Sequence, residues 1–218
     1  MPQITAIEPQ KRKKGRFNIF LDGKFAFSAD ESFLVKNHLQ IGQELTGLQV
    51  EKYIKETELT KLFDASLRFL SFRPRSEKET SQYLAKKIAH HDSIKYKQAL
   101  ASPQISVVIE KLKKYKYLDD LEFAKWWVSS RVKSNPKGLL FIKYELTKKG
   151  IAKDIIEKVL SKFPSETTLA KKAIGKKLKL WKKLPPPKLK NKVYLYLRGK
   201  GFNYDTAQEI FAFLQRKS

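Results

Sequence analysis

The sequence predicts a mainly α-helical protein: three tandem three-helix repeats, elongated and curved, preceded by a small β-containing amino-terminal module. Three observations lead there. The apolar residues alternate with a period of two before about residue 50 and recur with a helical period from Leu59 onward. An Asp22-Gly23 dipeptide stands inside the alternating stretch, where a tight hairpin turn needs positive φ angles. Two segments of the carboxy-terminal half also match each other at a constant offset of 51 residues.

In the module, "RFNIFLDGKFAFSAD" reads as two strands around Asp22-Gly23. Phe17, Ile19 and Leu21 fall on one face, and Phe25 and Phe27 are expected to continue that surface on the partner strand. Ile4 to Ile7 is a further strand, and "SADESFLVKNHL" a short helix. The basic "KRKKGR" before the hairpin has two readings, a phosphate contact or a solvated loop.

From Leu59 the pattern is helical. Leu59, Leu62, Phe63, Ser66, Leu67 and Leu70 follow the i, i+3, i+4, i+7 rule of one inward face. Ser76 and Glu79 have capping-box spacing, so a second helix starts there, with Tyr83, Leu84 and Ile88 as its core stripe. A polar linker, Ala89 to Gln104, precedes a third helix carrying Ile105, Val108, Ile109 and Leu112. "LTKKGIAKDIIEKVL" from Leu146 then pairs with "LRGKGFNYDTAQEIF" from Leu197, which aligns Gly150 with Gly201 and Asp154 with Asp205. Each reads as a helix end, a glycine turn and a new helix, because the residue after a helix often takes the left-handed conformation. The expected segments are residues 1–58 for the β module and 59–118, 119–162 and 163–218 for the repeats, which stack apolar faces on their neighbours.

Composition bounds the function. The 218 residues carry a formal charge of +24, with nine basic against eight acidic residues up to Glu58 and 37 against 14 from Leu59 on. The helical part therefore calls for a polyanionic partner or an acidic protein surface. The chain has no cysteine, which excludes disulfides, thiolate nucleophiles and Cys-based metal sites. No apolar stretch has signal-peptide or membrane-spanning length, so a soluble, cytoplasmic protein is expected. Walker loops, nucleophile elbows and dinucleotide fingerprints are absent, and the histidines His38, His90 and His91 lack metal-ligand spacing. No cofactor and no metal is predicted.

"YLDDLEFAKWWVSSR", Tyr117 to Arg131, poses the one enzymatic question. Asp119, Asp120 and Glu122 could hold Mg²⁺ in a nuclease, or could open a helix, with Asp119-x-x-Glu122 as its cap and Leu121, Ala124, Trp127 and Val128 facing inward. The cap is the stronger reading, since no second carboxylate cluster accompanies it. Trp127 belongs to the core; for Trp126, packing outweighs base stacking. Arg131 bonds either a helix end or a phosphate, and both readings stay open.

The middle segment resembles the RecX family of bacterial recombination regulators. The resemblance rests on "YLDDLEFA", Trp127-Val128, Arg131, Gly138, Glu145-Leu146, "KKGI" at Lys148 to Ile151, and "IIEKVL" after it. It extends over residues 59 to 218, and the β module looks like an extension of some members. This chain departs from the family at Lys116, where glycine is usual, and in the long 89–104 linker. The resemblance implies a non-enzymatic protein that binds the RecA filament on single-stranded DNA and limits its growth, strand exchange and ATP hydrolysis. Double-stranded DNA is a further expected partner, a membrane is not, and a monomer is expected.

Charge patterning nominates the binding residues. Along "LAKKAIGKKLKLWKKL", Lys171, Lys172, Lys176, Lys179, Lys182 and Lys183 project into one arc, with Leu169, Ala170, Ala173, Leu180, Trp181 and Leu184 opposite and Lys177 as the exception. Glu166 is the only acid between Lys162 and Lys200. The face reads as a solvated helix side, as a membrane-surface helix, which its place inside a repeat argues against, or as a ridge that meets phosphate or an acidic groove; a lysine face so unbalanced repels itself, which favours the ridge. Lys188, Lys190, Lys192, Arg198 and Lys200 extend it past the Pro185–Pro187 turn, and Arg131, Lys133, Lys137 and Lys143 of the middle unit join the candidate set.

Overall fold

The computed structural model describes residues 1–11, 13–162, 164–181 and 184–216, without the side chains of Lys176 and Lys179. Three strands come first, β1 (Ile4–Pro9), β2 (Arg16–Leu21) and β3 (Lys24–Asp30), then α1 (Glu31–Lys36), α2 (Gly47–Ser71), α3 (Glu77–His91), α4 (Tyr96–Leu100) and α5 (Pro103–Lys114). The chain continues through α6 (Asp120–Ser134), α7 (Leu139–Lys148), α8 (Lys153–Leu160), α9 (Glu166–Trp181), α10 (Pro186–Gly199) and α11 (Tyr204–Gln215). The fold is mainly helical behind a small sheet, as its periodicity predicts.

Two compact units share these elements: residues 1–68 with 84–110, and residues 69–83 with 111–218. In the first, the strands form an antiparallel meander in the order β1-β2-β3. Asp22 and Gly23 both have positive φ, 48° and 76°, as a two-residue hairpin turn with matched twist requires. Ile19 and Leu21 lie buried against Phe27, Phe33 and Tyr53, the last supplied by α2. Phe25 departs from the expected alternation. The register shifts between Ile19, which pairs with Phe27, and Phe20, which pairs with Phe25. That bulge rotates Phe25 out of the core, leaving it 57 % exposed with its ring edge-on to Phe20.

Helix α2 runs unbroken through residue 58, so the change of composition there falls inside one helix. The polar linker holds an additional short helix, α4, whose single fully buried side chain is Ala99.

The second unit holds two helical cores. Phe123, Ala124, Val128, Ile142, Leu146, Ile151, Ile156 and Val159 join α6, α7 and α8. Leu169, Ala170, Ala173, Ile174, Val193, Leu197, Phe202, Ala207 and Ile210 join α9, α10 and α11. Leu180, expected on the apolar side of α9, is 72 % exposed. Toward the end of that helix the covered stripe narrows to Ile174, Leu178 and Trp181, and Leu180 lies beside it.

The offset repeat has a conformational meaning. Gly150 and Gly201 have φ of 85° and 81°. Ile151 N–H donates to the Leu146 carbonyl and Phe202 N–H to the Leu197 carbonyl, 3.1 Å in both, the six-to-one bond of a Schellman ending. Helix α5 ends the same way without glycine: Lys116 has φ of 59° while Tyr117 N–H donates to the Leu112 carbonyl at 2.9 Å.

Candidate functional site

The carboxylates of "YLDD" serve separate roles. Asp119 Oδ1 accepts from the N–H groups of Leu121 and Glu122, at 2.8 and 3.1 Å, and so caps α6. Asp120 Oδ1 accepts from Glu77 N–H at 2.8 Å, which places it over the first turn of α3. Burial raises its pKa, opposed by that hydrogen bond. Glu122 holds Lys125 at 2.6 Å. Among the described residues no three His, Asp or Glu side chains gather as a metal site would need.

Family-pattern residues of the middle segment converge on Glu145. Its carboxylate accepts from Trp127 Nε1 at 3.0 Å, from Arg131 Nε and Nη2 at 2.7 and 3.1 Å, and from Lys137 Nζ at 2.9 Å. Burial alone would raise its pKa, but the bonds from Arg131, Lys137 and Trp127 outweigh that and lower it. Arg131, three-quarters buried in its side chain, thus bridges α6 to α7. Trp126 packs as well, with its ring 5.9 Å from Phe123 and the Arg73 guanidinium 5.6 Å from its centre.

A second carboxylate centre lies at the start of α3. The Ser76 and Glu79 capping box forms: Glu79 N–H donates to Ser76 Oγ at 3.2 Å, and Ser76 N–H to Glu79 Oε2 at 3.4 Å. Glu79 also receives two bonds from Arg73, at 2.9 and 3.1 Å, and one from Lys149 at 2.6 Å. Burial acts to raise its pKa, yet the bonds and charges of Arg73 and Lys149 hold it down at about 2. The buried Ser76 hydroxyl donates onward to the Lys149 carbonyl at 2.7 Å. The capping spacing is legible in the sequence, whereas the roles of Arg73 and Lys149 depend on contacts up to 70 residues apart.

The proposed binding cations divide into three groups. Lys133, Lys143, Lys171, Lys172, Lys188, Lys190, Lys192 and Arg198 are exposed. Arg131, Lys137 and Lys200 are partly buried and engaged, Lys200 with Asn135 Oδ1 at 2.9 Å and with its ammonium 5.4 Å from the Tyr196 ring centre. Lys182 and Lys183 lie outside the described residues, as do the side chains of Lys176 and Lys179. Helix α10 opens on Pro186 and Pro187 with no acid in its first turn, so Lys188 and its neighbours meet no local counter-charge there.

Models of four successive domains match this chain: the regulatory protein RecX N-terminal domain at residues 2–46, and the RecX first, second and third three-helix domains at 63–95, 119–160 and 165–211. The chain belongs to the RecX family. A regulatory protein RecX of Bacillus subtilis strain 168 is 43 % identical over 207 residues, covering 94 % of this chain and 74 % of the relative. A crystal structure of a regulatory protein RecX has a TM-score of 0.68 and 29 % identity, covering 95 % of this chain and 98 % of that one. RecX from Lactobacillus salivarius gives 0.58 and 26 %, over 72 % and 96 % of the two chains. Within this RecX-family chain, Trp127, Arg131 and Glu145 are explained by one buried hydrogen-bond centre, and Gly150 by a helix ending.

Proposed function

We propose that this chain is a non-enzymatic regulator of homologous recombination that binds the RecA filament on single-stranded DNA and limits its growth, strand exchange and ATP hydrolysis. The observation that supports this reading best is the run of exposed cations on α9 and α10, Lys171, Lys172, Lys188, Lys190, Lys192 and Arg198, in a chain of the RecX regulatory family. Such a surface attracts a polyanion, and phosphates or acidic filament surfaces both answer to it. Lys133 and Lys143 of the middle segment are exposed as well. Double-stranded DNA engages the same cations through its phosphates. The protein works in the cytoplasm as a soluble monomer without a cofactor, and residues 1–58, 59–118, 119–162 and 163–218 act as its four segments. No helix among the described residues is long and apolar enough to cross a membrane.

The test is RecA ATPase on single-stranded DNA at physiological salt, with this protein titrated in. Inhibition well below one copy per RecA supports the reading, because only action on whole filaments produces it. Inhibition only at amounts that coat the DNA points to a general polyanion binder acting without RecA.

A further inference from the structure

Phe72 is 84 % exposed, more than any other large apolar side chain of the described residues. Burying a phenylalanine is worth roughly 1.5–3 kcal/mol, so a ring held in water on a fixed segment calls for an explanation. This segment is fixed on every side. Arg73 is clamped on Glu79, the Arg75 guanidinium stacks 4.1 Å from the Phe69 ring centre, Phe69 stacks on Tyr83 at 4.2 Å, and Ser76 is tied to Lys149.

Phe72 borders an open groove of about 750 Å³ whose other wall runs from Lys116 to Phe123. Tyr117 on that wall is 56 % exposed, and so is neighbouring Tyr115. Asp119 is engaged as a helix cap and Glu122 with Lys125. Three cations, Arg73, Arg75 and Lys116, line the groove against these two committed carboxylates, and the buried Nε of Arg75 has no acceptor among the described residues. Exposed rings beside a surplus of cations suit unpaired bases, which stack on aromatic faces while their backbone meets positive charge. A duplex keeps its bases stacked internally and offers this groove only phosphate.

We propose that the groove between Phe72 and Tyr117 is a base-stacking site for single-stranded nucleic acid, distinct from the lysine surface of α9 and α10. The assignment deepens the filament reading, on which it rests for its setting, by giving the protein its own preference for unpaired strand.

The test uses the full chain without RecA, with a single-stranded oligothymidylate and a DNA duplex of equal length as probes. Phe72→Ala with Tyr117→Ala weakens oligothymidylate binding about tenfold, the effect of losing one or two stacked bases, and duplex binding less than twofold. Phe72→Trp retains affinity, and its added fluorescence is quenched by oligothymidylate. Equal loss on both probes, unchanged oligothymidylate affinity or an unquenched Trp would each overturn the proposal. Variants that keep oligothymidylate binding but lose RecA ATPase inhibition overturn it in favour of a protein-docking groove. If the unaltered protein leaves the RecA ATPase untouched yet shows the Phe72-dependent preference, the filament reading fails and the stacking site stands.

Discussion

Replacing Glu79 by glutamine tests whether the carboxylate centre at the start of α3 holds the second unit together. The side chain is 13 % exposed, and its partners Arg73 and Lys149 are each 28 % exposed. A carboxyl held at about 2 rather than 4.5 corresponds to about 3 kcal/mol of differential interaction, at 1.36 kcal/mol per pH unit. Glutamine keeps the shape but not the charge, and leaves two half-buried cations without an anion. Allowing for the partial exposure of those cations, the expected loss at neutral pH is about 2–3 kcal/mol. The sign of the pH effect follows from the lowered pKa. The stabilisation is fully present above the ordinary carboxyl range near 4.5, and is lost as pH falls through the folded value of about 2. Urea unfolding of both proteins at neutral pH and at a series of acid pH values reads this directly, since the gap between them should close as the carboxyl protonates. A gap below about 0.5 kcal/mol at neutral pH, the size of an ordinary surface change, would refute the reasoning. So would a gap that stays constant down to the folded pKa.

Other outcomes follow from the helix endings, the close packing and the charge. Lys116→Gly should raise the urea midpoint, with a gain of about 0.5–1 kcal/mol, because Lys116 holds a left-handed φ of 59° that favours glycine, partly offset by the entropy glycine adds to the unfolded chain. Gly138→Ala should destabilise by about 1–3 kcal/mol in the same measurement, since an added Cβ would overlap the Gly201 carbonyl, which is backbone and cannot swing aside. Lys172, Lys188 and Lys192 changed together to glutamine should leave melting nearly unchanged, as all three are exposed. If each of the three meets one phosphate of a single strand, the log–log salt dependence of binding should flatten by about 2, and an unchanged slope would remove them from the interface.

What could be read from the sequence is largely what short-range chemistry decides. Asp22-Gly23, Ser76 with Glu79, and Asp119 each work within a few residues and form a turn or cap, although Glu122, the expected return partner of Asp119, bonds Lys125 instead. Gly150 and Gly201 were visible through their repeat offset, and their positive φ supplies the reason. Phe25 leaves the face that alternation predicts because a one-residue bulge inverts the pattern beyond it, and no residue type announces a bulge there. Helix α4 left little signal, since it buries one alanine fully. Arg131 could not be assigned from sequence, because its partner is 14 residues away on another helix. Glu145 carried a usable hint, as an acid in a basic segment needs a reason to be there.

The acids of the second unit show why so basic a chain folds. Asp120, at the start of α6, accepts from the first N–H of α3; Glu166, at the start of α9, accepts from the first N–H of α7 at 3.2 Å. Beside these joints, the Ser76 hydroxyl reaches the Lys149 carbonyl ahead of Gly150, and Gly138 N–H reaches the Lys200 carbonyl ahead of Gly201 at 2.9 Å. The same device therefore recurs where one three-helix segment meets the next. Glu79 and Glu145 likewise face inward, each on partly buried cations. Carboxylates committed to caps and inward pairs contribute little screening to the exposed lysines of α9 and α10, so the surface there is more positive than a uniform spread of the formal charge would make it. That division of labour ties the fold to the proposed function: removing an inward acid such as Glu79 should cost stability before it changes binding, whereas removing an exposed lysine should change binding and leave the fold intact.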